Sequence, residues 1–189
     1  MAIYFIADTH FGHQNALVFD NRRFKTIEEH DEALIENWNS VVGIDDEVFI
    51  LGDISWHNVT RTIEIVKSLN GIKHLIIGNH DKKLLKNREL QSLFVEIVDY
   101  KELSLPDGKG IVLCHYPIPC FNHHYYGWYH LYGHVHNSFE WNMMLQTKWQ
   151  MTALYDKPCE MYNVGAMLPY MDFTPKTLED ILSACKEKY

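Results

Sequence analysis

The sequence predicts a mixed α/β fold built as a single domain over residues 1–189. The first half of the chain alternates short apolar runs with amphipathic stretches, a pattern typical of parallel βαβ units. The second half is rich in short apolar runs with brief connections, which favours antiparallel strand pairing. No repeat, low-complexity tract or Gly/Ser linker divides the chain, whose 189 residues suit one domain with a sizeable core.

Three strands and two helices are predicted in the first half. Thr26 and Glu29 form a capping box that marks the start of the first helix. Gly71 follows the second helix, as glycine does at many helix ends. The predicted strands are Ala2–Ala7, Glu47–Leu51 and Lys73–Ile77, and the predicted helices cover residues 27–42 and 59–69.

Several short strands and a closing helix are predicted in the second half. A turn at Pro106-Asp107-Gly108 separates two of the strands. Thr174-Pro175 marks the start of the closing helix, which turns Leu178 and Ile181 inward. The predicted strands cover residues 94–98, 100–105, 109–114, 129–133, 150–155 and 160–164.

Composition narrows the classes of function. The net charge of −8 and the absence of a basic tract argue against a surface that tracks long nucleic acid. The longest apolar runs, such as Ile3–Ala7, are too short to cross a bilayer, and no export signal precedes the first strand, so we expect a cytoplasmic protein with reduced cysteines. The 12 histidines are a surplus that favours a metal site.

Polar side chains follow five of the predicted strands directly. In sheets of this kind, ligands gather beyond the carboxyl ends of the strands. Carboxylate, amide and imidazole groups are good ligands for divalent transition metals. Each residue alone also fits an ordinary role as a turn, a cap or a buried histidine, but five coincidences at five strand ends are improbable. The candidate metal ligands are Asp8, His10, Asp53, Asn79, His115, His134 and His136.

These residues resemble the motifs of the calcineurin-like metallophosphoesterases. The similarity covers five blocks between residues 8 and 136, and the pattern looks closest to small bacterial and phage-type phosphoesterases. The resemblance implies a four-layer α/β/β/α sandwich with two mixed β-sheets and a metal site at the carboxyl ends of the strands. The blocks are Asp8-x-His10, Gly52-Asp53, Gly78-Asn79-His80-Asp81, His115 and Gly133-His134-x-His136.

The resemblance also implies a role for each residue in the blocks. Asp8, His10 and His136 would hold a first divalent metal ion, and Asn79, His115 and His134 would hold a second. Asp53 would bridge the two ions. We expect manganese first, with iron, zinc or nickel as alternatives, since such ligand sets accept all four. His80 would contact the phosphate or protonate the leaving group, and Asp81 would orient His80.

The expected activity is hydrolysis of a small phosphorylated metabolite or a nucleotide by attack of a metal-bridging hydroxide. A nucleotide diphosphatase of the same fold and an inactive scaffold are the alternatives. The residues after Asp53 lack the Asp-Arg-Gly continuation of the protein serine/threonine phosphatases, which puts a phosphoprotein substrate in doubt. We expect no membrane partner, and either a monomer or a homodimer.

Three further residues are candidates for substrate binding. Arg22 and Arg23 lie in the loop after the first strand, where either guanidinium could clamp a phosphate. The alternative is that both arginines are solvent-exposed loop residues with no role in binding. His13 could line the cleft at the carboxyl ends of the strands, or it could lie in a turn or at the start of a helix. The aromatic segment 121–130 lies between two ligand blocks and could form a lid over a base, or pack against the second sheet.

Overall fold

The computed structural model describes residues 1–186 and confirms an α/β fold with two mixed β-sheets and helices. No helix in this part of the chain is both long and apolar enough to span a bilayer. The strands are β1 (Ile3–Ile6), β2 (Glu47–Ile50), β3 (Ile72–Ile76), β4 (Glu96–Val98), β5 (Tyr100–Ser104), β6 (Gly110–Cys114), β7 (Tyr129–Tyr132), β8 (Glu160–Asn163) and β9 (Lys176–Thr177). The helices are α1 (Ala16–Phe19), α2 (Ile27–Val41), α3 (Val59–Ser68), α4 (Arg88–Gln91), α5 (Phe139–Ala153) and α6 (Leu178–Lys186), with 3-10 helices at Asp81–Lys86 and His124–Tyr126.

The first sheet has the strand order β4-β3-β2-β1-β9. Strands β1 to β4 are parallel, as the alternation of strand and helix predicted, and β9 pairs with β1 in the antiparallel direction. Because β1, β2 and β3 run the same way, the residues that follow them lie at one edge of the sheet.

The second sheet has the order β5-β6-β7-β8. Strands β5 and β6 form the expected antiparallel pair around the turn at residues 105–109. The prediction of antiparallel pairing is wrong for the rest of this sheet, since β6, β7 and β8 are parallel. Their connections are long enough for crossovers, and α5 lies within the second one.

Two element predictions in the second half are also wrong. The predicted strand 150–155 is mostly the end of α5, and the closing helix begins at Leu178, after β9, rather than at Thr174. No residue of α5 is buried; three of its large apolar side chains, Phe139, Met143 and Trp149, are exposed, and others are only partly buried. The helix therefore lacks the buried apolar stripe on which a helix prediction depends.

The main core joins both sheets. Buried side chains of the first sheet, such as Phe5 and Phe49, belong to the same hydrophobic cluster as Leu113 and Leu131 of the second. Trp38 of α2 is fully buried in this cluster, and its indole N–H donates to the carbonyl oxygen of Asn70 at 3.0 Å. Burying such large apolar surfaces is the main source of the fold's stability.

Backbone hydrogen bonds join the ends of the two sheets. The amide of Ala7, just after β1, donates to the carbonyl of Val164, just after β8, at 2.8 Å. The amide of Ala166 donates back to Ala7, also at 2.8 Å. The loops that follow β1 and β8 are consequently neighbours, although the two strands belong to different sheets.

The aromatic segment 121–130 packs through three of its side chains, while Tyr125 and Tyr126 are exposed. Phe121, His124 and His130 are buried, and Phe121 contacts a second hydrophobic cluster with Val112 and Tyr132. These three buried side chains match the packing alternative for their part of the segment.

His130, on β7, is a fully buried histidine with a fixed pattern of hydrogen bonds. The amide of Ile118 donates to its Nε2 at 3.0 Å, Nε2 also lies 3.2 Å from the carbonyl oxygen of Tyr116, and Nδ1 lies 3.0 Å from the carbonyl oxygen of Val112. Burial lowers the pKa of His130 to about 4. The folded protein therefore holds this ring neutral at a pH where the unfolded chain would protonate it.

We expect His130 to make the fold less stable in mild acid. Its pKa is depressed in the folded state, so the free energy of unfolding should fall as pH drops from about 6.5, the usual histidine pKa, towards 4, by up to about 1.4 kcal/mol per pH unit. Urea unfolding of wild type and His130→Gln between pH 7 and pH 5 measures this. The variant should show the shallower dependence on pH; equal slopes would contradict the assignment.

Candidate metal site

Most of the predicted ligands occupy an uncommon backbone conformation. Left-handed φ is rare for residues other than glycine and costs about 1–3 kcal/mol, although Asp and His adopt it more often than most. Strain of this kind persists where the surroundings fix it, often at functional sites. The φ angles are 54° at Asp8, 52° at His10, 54° at Asp53, 70° at His134 and 49° at His136.

The ligand-bearing loops are held to each other by their backbones. The amide of Asp8 donates to the carbonyl of Gly52 at 3.1 Å, and the amide of His10 donates to that of Asp53 at 3.1 Å. In the second sheet, the amide of Gly133 donates to the carbonyl of His115 at 2.9 Å. Side chains that are far apart in sequence are thereby brought to one place.

One group of side chains consists of Asp8, His10 and His136. The Nε2 atoms of the two imidazoles face each other at 3.2 Å. Asp8 Oδ1 lies 3.8 Å from Nε2 of His10 and 3.9 Å from Nε2 of His136. Three potential ligand atoms thus point at a common centre, and these residues form a group that could hold a metal ion.

A second group consists of Asn79, His115 and His134. Asn79 Oδ1 lies 3.0 Å from His115 Nε2 and 3.0 Å from His134 Nδ1. His115 Nδ1 lies 2.7 Å from the carbonyl oxygen of Leu51, which fixes its proton on that side. The ring then presents its Nε2 to the side-chain amide of Asn79, and both groups can bind a metal ion.

Asp53 lies between the two groups. Its Oδ2 is 4.0 Å from Nε2 of His10 and 3.7 Å from Nε2 of His115. Its Oδ1 accepts a hydrogen bond from the backbone amide of His80 at 2.9 Å. Asp8, Asp53 and His115 also form a group that could hold a metal ion. Asp53 can therefore provide a ligand oxygen to either group.

The electrostatics of the site favour a positive charge. Asp8 is completely buried, and this desolvation, with the negative charge of Asp53, raises its pKa to about 6 against the lowering effect of His136 and His115. For His136, burial lowers the pKa, but the hydrogen bond to Asp20 and the charge of Asp8 outweigh it, so the pKa is raised. Buried carboxylates are stable when a cation compensates them.

The donor set fits divalent metal ions. Ligands about 2.0–2.2 Å from an ion at angles near 90–109° lie about 3–3.5 Å from one another. The shortest separations, 3.2 Å between His10 and His136 and 3.0 Å around Asn79, are of this size. Two of the histidines are held by hydrogen bonds through the other ring nitrogen, which is typical of metal-bound imidazoles.

Two glycines leave room for the carboxylates. A Cβ atom on Gly78 would lie 2.2 Å from Oδ1 of Asp53, and one on Gly133 would lie 2.6 Å from Oδ2 of Asp8. Both distances are well inside van der Waals contact. The glycine that precedes a ligand in these motifs is therefore explained by the close approach of a carboxylate to the backbone.

Asp81 contacts a different partner from the one expected. Its Oδ2 accepts from the amides of Gly78 at 2.8 Å and Asp53 at 2.9 Å, and its Oδ1 accepts from the amide of Ile54 at 3.0 Å. Burial raises the pKa of the Asp81 carboxyl. These bonds join two ligand loops, so Asp81 positions Asp53 through the backbone instead of orienting the His80 ring by a direct bond.

His80 lies at the mouth of the site. Its side chain is 49% exposed, and its Nε2 is 4.0 Å from Asp53 Oδ2. Its ring contacts the indole of Trp56, with centroids 4.2 Å apart. On the same wall, His13 stacks on Trp56 at 4.0 Å with nearly parallel rings, and it also neighbours His10 at 5.4 Å. His13 therefore supports the wall of the site beside a predicted ligand.

Arg22 lies behind the ligands, and all its contacts are internal. The guanidinium is fully buried and donates to the Asp20 carboxylate and to the carbonyl oxygens of Asp8 and Thr9. This geometry leaves it holding the loop of Asp8 and does not support the expectation that it clamps a phosphate. Arg23 is exposed, pairs with Asp172 and lies over Phe173.

Asp20 is a residue that the sequence did not single out. Its Oδ1 lies 2.7 Å from Nδ1 of His136, while its Oδ2 accepts from Arg22. Arg22 also contacts His30, whose other nitrogen meets Asp31, and Asp31 meets His57. A buried polar network thus runs from the rim of the site to a predicted ligand, and only the distances between side chains reveal it.

Comparison with known proteins places the chain among relatives. It is 36% identical to the uncharacterized protein MJ1445 of Methanocaldococcus jannaschii over 136 residues, which is 71% of this chain and 69% of that protein. The chain belongs to the family of this archaeal protein. No protein-family model matches the sequence.

Phage proteins and one solved structure are also similar. The chain is 40% identical over 93 residues to the gene 66 protein of Mycobacterium phage L5 and 35% identical over 129 residues to that of phage D29. The matches cover 44% and 63% of those proteins, so the chain spans less than two thirds of either. The crystal structure of AQ665 from Aquifex aeolicus, a protein of unknown function, matches 96% of this chain and 98% of its own with a TM-score of 0.69 at 28% identity.

We expect Asp20→Asn to weaken metal binding. Removing the charge that holds His136 should reduce Mn²⁺ affinity about 10–100-fold, as is usual for partners of metal-bound histidines. Isothermal titration calorimetry of purified protein measures the affinity. Asp172→Asn is the matched control because that carboxylate is exposed and pairs with Arg23 instead. Unchanged affinity in a folded Asp20→Asn variant would show that Asp20 does not support the site.

Proposed function

We propose that the protein is a metal-dependent phosphoesterase with two divalent metal ions, acting on a small phosphate ester or nucleotide. Asp8, His10 and His136 would hold one ion, Asn79, His115 and His134 the other, and Asp53 would bridge them. Manganese is our first choice of metal, with iron, zinc and nickel as alternatives. The bound ions would activate a water for attack on phosphorus and neutralise phosphate charge.

The convergence of two ligand groups on Asp53 is the observation that carries this proposal. One Asp53 oxygen lies 4.0 Å from a histidine of the first group and 3.7 Å from a histidine of the second. A pair of ions that share a carboxylate suits phosphoryl transfer, because the transition state spreads charge over oxygens that two cations can contact. The resemblance of the motifs to the calcineurin-like metallophosphoesterases supports the same reading, and with it a four-layer arrangement of the sheets and helices.

The chain's own residues supply the proton chemistry and the positioning. His80 is the half-exposed imidazole at the mouth of the site, so it can reach a bound ester and give a proton to the departing oxygen. Trp56 packs against the His80 ring and limits its movement. Asp81 holds the loops of Asp53 and Gly78 at a fixed distance through three amides.

An inactive scaffold of this fold is the weaker alternative. A scaffold has no need to keep a full set of ligands in strained backbone conformations, and here five predicted ligands have left-handed φ angles. Metal analysis distinguishes the two, because a scaffold should bind much less than one equivalent.

Hydrolysis of aryl phosphates with Mn²⁺ tests the proposal. Wild type should hydrolyse p-nitrophenyl phosphate or bis-p-nitrophenyl phosphate, and Asp53→Asn should reduce kcat at least about 10²-fold. His80→Asn should reduce kcat by about 10²–10⁴-fold for phenyl phosphate and less for p-nitrophenyl phosphate, because a better leaving group needs less protonation.

Matched controls guard against general damage to the fold. Asp45→Asn and His123→Asn change exposed residues of the same types and should leave kcat unchanged. The enzyme proposal is wrong if wild type has no turnover with Mn²⁺, Fe²⁺, Zn²⁺ or Ni²⁺. The role of His80 is wrong if its loss affects both leaving groups equally.

A further inference from the structure

A groove leads away from the candidate metal site along the segment after His80. Its volume is about 960 Å³, at the upper end of the range for pockets that hold small organic ligands. Asn79 and His80 are among its lining residues, so it is continuous with the site described above. Trp56, Val59 and Leu84 give it an apolar wall.

The charge of this groove differs from that of the protein. The chain carries 25 acidic and 17 basic residues, yet no Asp or Glu is among the residues that line the groove. Lys82, Lys83 and Lys86, all from the 3-10 helix at residues 81–86, line it together. Three ammonium groups without a carboxylate between them create a local positive potential.

The three lysines also lack partners in the part of the chain that the structure describes. All three are exposed, and none forms an ion pair with a residue among 1–186. Some basic groups elsewhere on the surface are paired, as Lys67 is with Glu89 and Lys101 with Glu96, and the groove differs in holding together three lysines that are unpaired among the described residues. Like charges placed side by side repel one another unless an anion lies between them.

We propose that this groove binds a second phosphate of the substrate, so that the physiological substrate carries at least one phosphate beyond the one attacked. This inference rests on the proposed function, which places the attacked phosphate beside Asp53 and His80. The lysines of the 3-10 helix would contact the second phosphate, and Trp56 with Leu84 would contact the organic part. A nucleoside bisphosphate or polyphosphate has this chemistry, whereas a simple monoester leaves the lysines unpaired.

The test compares two inhibitors of p-nitrophenyl phosphate hydrolysis under excess Mn²⁺. Adenosine 3′,5′-bisphosphate should inhibit wild type at a concentration about tenfold or more below that of adenosine 5′-monophosphate. The triple variant Lys82→Ala, Lys83→Ala, Lys86→Ala should lose this preference, because three exposed charge contacts each contribute a few-fold. Its kcat for the aryl ester should stay unchanged. Lys25→Ala, an exposed lysine outside the groove, is the control.

A binding measurement separates failure of this inference from failure of the proposed function. Calorimetry with metal-free protein should give a bisphosphate affinity that falls about tenfold in the triple variant and decreases with added salt. If aryl esters are not hydrolysed but the difference in bisphosphate affinity remains, the groove assignment is supported and the catalytic proposal is wrong. If wild type and the triple variant bind or respond to the bisphosphate equally, the groove assignment is wrong.

Discussion

The burial of Asp8 and Asp53 beside each other is the constraint on which the rest of the site depends. Both carboxylates are almost inaccessible to water, and burial opposes the charged form of each. The nearest guanidinium, that of Arg22, contacts the backbone oxygen of Asp8 and the side chain of Asp20. The side chains that face the carboxylates are imidazoles, and the backbone amides of His134 and His80 donate to Asp8 and Asp53. The proposal of bound metal ions supplies the missing positive charge.

Much of the surrounding structure can be understood as holding this unfavourable arrangement in place. Loops after strands of different sheets meet because backbone hydrogen bonds link Ala7 to Val164 and Ala166. Small residues such as Gly78 and Gly133 let carboxylates approach the backbone. Asp81 and Asp20 then fix the loops and the imidazole of His136. Groups that are already in place can stabilise the charge of a transition state without first rearranging, and this lowers the barrier of the reaction.

The sequence predicted what depends on local pattern. Capping by Thr26 and the periodicity of α2 placed that helix within one residue of its observed end, and polar residues after apolar strands predicted candidate ligands that the structure brings together. Properties that depend on contacts between distant residues were missed. Nothing local distinguishes Asp20 from other loop aspartates, and the unburied α5 has no stripe to recognise. The sequence left Arg22 as a candidate for phosphate binding or for a solvated loop, because its burial arises only in the folded chain. The pairing direction of β6, β7 and β8 depends on crossovers that strand patterns do not encode.

Anomalous diffraction from crystals grown with Mn²⁺ shows directly whether two ions share Asp53. We expect two manganese peaks, one within bonding distance of Asp8, His10 and His136 and the other within bonding distance of Asn79, His115 and His134, with an oxygen of Asp53 bonded to both. Crystals saturated with Mn²⁺ that show no peak beside Asp53, or that bind manganese only elsewhere, would contradict the proposal of two ions sharing Asp53.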